Sequence, residues 1–90
     1  MQISPDKIDK LIELYGIIHN YPRKSWVVFF CRDNNLNYNQ WNAHIRGKQV
    51  IGLKIVYDLI SIFPDLNLNW LFKDEGNILS KPIITEETTL

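Results

Sequence analysis

Asn35-Leu36-Asn37-Tyr38-Asn39-Gln40-Trp41-Asn42-Ala43-His44-Ile45-Arg46-Gly47-Lys48 is the stretch that decides how this chain folds. Asn37 is placed to cap a helix, with Gln40 three residues on in a variant of the capping box. Trp41, His44 and Ile45 then share one side, and Gly47 supplies a stop. Immediately upstream, Trp26 to about Asn34 is expected to form another helix, with Ser25 as its cap and Asp33-Asn34-Asn35 as its end, Asn tolerating a left-handed turn. The β-branched and aromatic run Trp26-Val27-Val28-Phe29-Phe30-Cys31 is also compatible with a short buried strand, and its context decides for helix.

The rest of the chain reads as helices too. Ser4-Pro5 is a strong start, a hydroxyl cap followed by a proline whose missing N–H costs nothing. Ile8, Leu11, Ile12, Tyr15 and Ile18 follow at helical spacing, until His19-Asn20-Tyr21-Pro22 breaks the pattern. A fourth helix is expected from about Gly52 to Phe63, burying Leu53, Val56, Tyr57, Leu59, Ile60 and Phe63, with Pro64 ending it. Asn67 can cap a short fifth helix carrying Trp70, Leu71 and Phe72, closed by Gly76. Asn77 to Leu90 has no helical period. The domain is therefore expected over residues 1–76, with an acidic, mobile tail over 77–90.

A helix of about three turns, a short turn and a capped helix make the helix-turn-helix pattern. Its physical logic is to offer the start of the second helix to the DNA major groove. The segment also resembles the second half of that unit in phage-repressor-like (Xre-type) regulators, where Gly-Val-Ser, three polar residues and Ile precede a Gly-Lys ending. Downstream, Phe63-Pro64-Asp65-Leu66-Asn67-Leu68-Asn69-Trp70-Leu71-Phe72 and Glu75-Gly76 are similar to the FPDxNxxWLLxGEG ending of a branch of these repressors. The resemblance covers about Ser25 to Gly76. It implies an all-α, five-helix lambda-repressor-like helix-turn-helix domain with a flexible C-terminal tail. It also implies a transcriptional repressor of phage or mobile-element type that binds double-stranded DNA as a homodimer. Four departures stand out. Asn35 replaces the family's turn Gly. Asn34 occupies a position usually aliphatic, where an unpartnered amide would cost about 1–3 kcal/mol. The link from Gly16 to Ser25 is several residues longer than usual, and Lys73-Asp74 replaces Thr-Gly.

Charge sharpens the expectation. The ten basic and ten acidic residues cancel, but residues 23–54 carry Arg23, Lys24, Arg32, Arg46, Lys48 and Lys54 against Asp33 alone. Such a basic middle suits an anion, although chance clustering on a solvated surface gives the same count. In the major groove Tyr38, Asn39 and Gln40 are the expected base readers. Asn and Gln can pair with adenine at two points, Asn42 is the next polar position, and Ala43 is small enough for close approach. The plainer alternative for Asn39 and Gln40 is that they cap and solvate the helix. Arg23, Lys24, Ser25, Arg46 and Lys48 are expected on phosphates, which position without reading sequence. A net charge of zero implies modest non-specific affinity, a shallow salt slope and about 4–6 phosphate contacts per subunit.

Other classes are disfavoured by inventory. Two His and one Cys offer no triad, no zinc spacing and no phosphate-cradling glycine run, so no catalytic residue, metal or cofactor is expected. No small-molecule substrate is evident. Larger repressors of this type carry a self-cleaving peptidase domain, which ninety residues do not reach. Cys31 reads as a small core residue and His44 as a structural histidine. The longest apolar run is far too short to cross a bilayer, and no basic-then-apolar leader is seen at the start. A single cysteine fits a reduced cytoplasm. Trp26, Val28 and Phe29 exceed what one helix face can bury; either the long preceding loop covers them or they form an interface. The rival function is a protein-interaction module, an antirepressor, adaptor or degenerate helix-turn-helix without DNA specificity.

Overall fold

The computed structural model describes residues 3–80 of the chain, and it is all-α. Helix α1 spans Pro5–Ile18, α2 Trp26–Asp33, α3 Tyr38–Ile45, α4 Leu53–Ile62 and α5 Leu68–Lys73, and a 3₁₀ turn covers Arg23–Ser25. Among the described residues the sole β-type pairing is an antiparallel bridge between Leu66 and Leu79. No described helix is long and apolar enough to cross a membrane.

Local chemistry sets the helix limits. The Ser4 hydroxyl accepts the Asp6 N–H at 3.3 Å, and Pro5 opens α1 as the sequence implies. Three helices then end by one device, in which a left-handed residue turns the chain and two backbone N–H groups satisfy the last carbonyls. After α1 the left-handed residue is Asn20, with Tyr21 N–H donating to Gly16 C=O at 2.9 Å. After α2 it is Asn35 (φ 56°), with Leu36 N–H on Cys31 C=O at 2.9 Å. After α3 it is Gly47 (φ 74°), with Lys48 N–H on Ala43 C=O at 2.9 Å. Asn therefore does at two helix ends what Gly usually does. The expected cost at Asn34 does not arise, because its side-chain Nδ2 donates to Phe30 C=O at 2.8 Å.

The core gathers around Phe30. Its ring meets Tyr15 edge-on at 5.1 Å between centroids, meets Trp41 at 5.5 Å, and stacks near Phe63 at 6.5 Å. Ile8, Leu11 and Ile12 from α1 and Leu59 from α4 are buried with it. The stripe expected on α1 is one residue too long. Ile18 is exposed, and Gly16 is buried instead. The Trp26 indole lies so close to Gly16 that a Cβ there would come within 2.3 Å of its Cδ1.

The long link between α1 and α2 has a structural role. Trp26 donates its indole N–H to Tyr21 C=O at 2.9 Å, and the Tyr21 ring packs on Phe29 at 4.8 Å. The loop thus covers two of the three surplus apolar residues of α2 and leaves only Val28 exposed. Ser25 makes no side-chain cap; α2 instead grows out of the 3₁₀ turn, whose Ser25 N–H bonds to Pro22 C=O.

Three further expectations need correcting. In α4 the buried residues are Ile55, Val56 and Leu59, whereas Leu53 and Tyr57 are 68% and 64% exposed. The helix is apolar on two faces, and only one meets the core. At the other end of the chain, α5 stops at Lys73 with Asp74 left-handed (φ 60°), two residues before Gly76. Lys7 of α1 holds that turn: its Nζ donates to Trp70 C=O at 2.8 Å, pairs with the Asp74 carboxylate and lies over the Trp70 ring. Lys7 keeps the Asp74 carboxyl below its usual pKa, first through this hydrogen bond. Backbone pairing also continues past residue 76, as Asn67 N–H meets Ile78 C=O at 2.9 Å and Ser80 N–H meets Asp65 C=O at 2.7 Å. Residues 77–80, read from the sequence as tail, are held to the domain. The acidic stretch expected in the tail, at Glu86 and Glu87, lies outside the described residues.

Candidate nucleic-acid interface

The α2–turn–α3 unit is held from below by buried side chains. Trp41 and His44 are buried on the inner side of α3, while Ile45 is half-buried. His44 Nδ1 sits 3.4 Å from Gln49 C=O and ties the loop after α3 back to the helix. The Asn37 side chain accepts the Gln40 N–H at 2.9 Å, so the cap expected from the sequence forms.

This cap fixes the first turn of α3 with its outer side in solvent. Tyr38 is 43% exposed, and Asn39 and Gln40 are exposed. Asn42 and Ala43 sit lower, each half-buried one turn further on. The outer strip of α3 therefore begins with three accessible polar side chains and falls away toward Asn42 and Ala43.

The cations divide into two sets. Arg32 is committed to Asp33, donating from Nη2 at 2.8 Å, with its guanidinium over the Phe29 ring. Lys54 pairs with Asp58 at 3.2 Å. Arg23, Lys24, Arg46 and Lys48 are all exposed, and none forms an ion pair with another described residue. Arg23 and Lys24 lie in the 3₁₀ turn ahead of α2, the former 5.5 Å over the Trp26 ring, and Ser25 behind them is half-buried. Arg46 and Lys48 bracket Gly47 at the end of α3. Within residues 23–54 these four are the cations without an ion pair; Lys10 on α1 and Lys73 on α5, both exposed, form none with a described residue either.

One polar cluster escaped the sequence reading. The Asp33 carboxylate accepts from the hydroxyls of Tyr15 at 3.1 Å and Tyr21 at 2.6 Å, besides holding Arg32. The Tyr21 hydroxyl, then Arg32, hold the Asp33 carboxyl below its normal range, while Asp33 in turn raises Tyr21. Tyr15 is raised as well, first by burial and then by its hydrogen bond to Asp33. These residues are 12 and 18 positions apart from Asp33, beyond any local pattern. The cluster stitches the long loop and α1 to the last residue of α2, one step before the turn into α3.

Burial pushes the Cys31 thiol up to about 11, leaving it a poor nucleophile. Among the described residues no three His, Cys, Asp or Glu side chains come together as a metal site requires. Compared with protein-family models, curated proteins and solved structures, the chain matches none.

Proposed function

We propose that this chain is a sequence-specific DNA-binding transcriptional regulator, a repressor of the lambda-repressor-like helix-turn-helix type. In this reading α3 enters the major groove, and Tyr38, Asn39 and Gln40 face base edges. Asn42 and Ala43 set how closely the helix can approach. Arg23, Lys24, Arg46 and Lys48 contact phosphates, with Ser25 adding an uncharged contact. The protein works as a homodimer on a pseudo-palindromic site, its two α3 helices about 34–36 Å apart, and it carries out no catalysis. It acts in the compartment that holds the DNA, the cytoplasm of a bacterium.

A single observation carries the reading. The capped first turn of α3 is open to solvent, and the exposed cations before α2 and after α3 have no acidic partner among the described residues. The left-handed Asn35 also supports the reading, since it makes the family's tight turn without the family's glycine.

Selection of bound fragments from a random DNA pool at two salt concentrations tests the proposal. A symmetric enriched motif at the higher salt is expected. Enrichment at neither salt would transfer the chain to the protein-interaction class.

A further inference from the structure

The outer face of α4 has more apolar surface than a solvated helix needs. Leu53 and Tyr57 are one turn apart and mostly exposed, Ile60 continues their strip half-buried, and Val50, 70% exposed, precedes the helix. Contiguous apolar strips of this kind mark interaction surfaces. The surplus is not on α2, where the long loop has already covered Trp26 and Phe29.

We infer that this face of α4 binds the same face of a second copy of the chain, with the two helices antiparallel across a two-fold axis. The charges beside the strip carry the choice of partner. Lys54 and Asp58 line one flank, one turn apart and with opposite signs. An antiparallel two-fold brings the same flank of both helices together in reversed order. Lys54 of each copy then meets Asp58 of the other, while Leu53 meets Tyr57 across the axis. A parallel two-fold would instead put the two copies of this pair on opposite sides of the seam, where they do not meet. The charged flank is thus self-complementary. A stable interface covers roughly 800 Å² per partner, so Val50 and the aliphatic stem of Lys54 must join the three strip residues.

The position of the patch also suits the assembly in the DNA reading, which the inference deepens. Only Gln49 separates Lys48 from Val50, so the basic ends of the two α3 helices would approach the axis from either side. The test contains no DNA, so its failure and the failure of the DNA reading are separate results.

Sedimentation of the full chain is expected to give a dimer, and Tyr57→Glu or Leu53→Glu a monomer with an unchanged helical circular dichroism spectrum. Lys54→Glu and Asp58→Lys should each weaken self-association by about tenfold, because each sets like charges opposite one another at two symmetric places. Mixing those two variants should restore dimers that contain one copy of each. In the mixed pair the introduced glutamate faces the introduced lysine, and the unchanged Asp58 of one copy faces the unchanged Lys54 of the other. An intrahelical role for the pair cannot produce that rescue, since both variants have lost it. A wild-type monomer at every concentration would overturn the inference and leave the face to another occupant. So would a folded Tyr57→Glu dimer, or a mixture that associates no better than its components.

Discussion

The Tyr21 hydroxyl donates to the Asp33 carboxylate at 2.6 Å, joining the loop after α1 to the last residue of α2. Tyr15 and Arg32 reach the same carboxylate, so three separate parts of the chain converge where α2 hands over to the turn. The carboxylate thus ties α1 and the loop to the end of α2, just before the turn that leads into α3.

This carboxylate should make stability depend on pH in a definite sense. Its folded pKa lies below its unfolded value of about 3.9, so its contribution is complete above that value and is lost as pH falls through the folded pKa. Asp74, lowered by Lys7, acts in the same direction. Melting temperature measured from pH 7 to pH 2 should fall steeply at the acid end. Asp33→Asn should lower the plateau and reduce that fall. An unchanged acid limb in Asp33→Asn combined with Asp74→Asn would remove both groups from the account.

Gly16→Ala should be costly although alanine favours helices. The new methyl would be driven into the Trp26 ring, and the indole could move only by giving up its bond to Tyr21 C=O. Overpacking of this kind costs about 1–3 kcal/mol, read as a lower urea midpoint at unchanged slope. Tryptophan fluorescence should shift to the red as Trp26 is pushed outward.

Asn35 separates two reasons for its presence, backbone conformation and side-chain contact. At φ 56° glycine fits as well as asparagine, so Asn35→Gly should leave stability unchanged or slightly raised. Asn35→Val should lose about 1–2 kcal/mol or more, the left-handed region being closed to a branched side chain. Chemical denaturation of both variants checks the pair; equal stability would mean that the turn can re-form in another conformation.

The proposed base readers and the proposed phosphate contacts should fail differently on DNA. Asn39→Ala with Gln40→Ala should flatten sequence preference, by about 1–3 kcal/mol for each two-point pair lost, while salt-sensitive binding persists. Lys48→Ala should weaken binding to all sequences alike and reduce the salt slope by about 0.9 per subunit. Filter-binding titrations at several salt concentrations distinguish the two, and a Lys48→Ala slope equal to wild type would move that lysine off the phosphates.

Helix placement was legible in the residues because capping and termination are local. Ser4-Pro5, Asn37 with Gln40, Gly47 and Asn67 act within a few residues of themselves, and the helices begin and end close to them. The exposure of Tyr38, Asn39 and Gln40 follows from the same local logic, since Trp41 and His44 had already claimed the inner side of α3. Asp74 shows the limit of that logic. Its left-handed turn depends on Lys7, 67 residues away, and no nearby residue announces it.

The order of helices, their caps and the polar start of α3 were thus determined by the chain itself, through bonds that span one or two turns. The tertiary structure alone decided which apolar face of α4 is buried, because Leu53-Tyr57-Ile60 and Val56-Leu59-Phe63 are equally good helical stripes. It also decided that Asp33 collects two tyrosines, that Trp26 fills the space above Gly16, and that residues 77–80 dock against Asp65 and Asn67. Each of these joins groups distant in sequence, and contacts between distant groups form only when the other helices have occupied the alternatives.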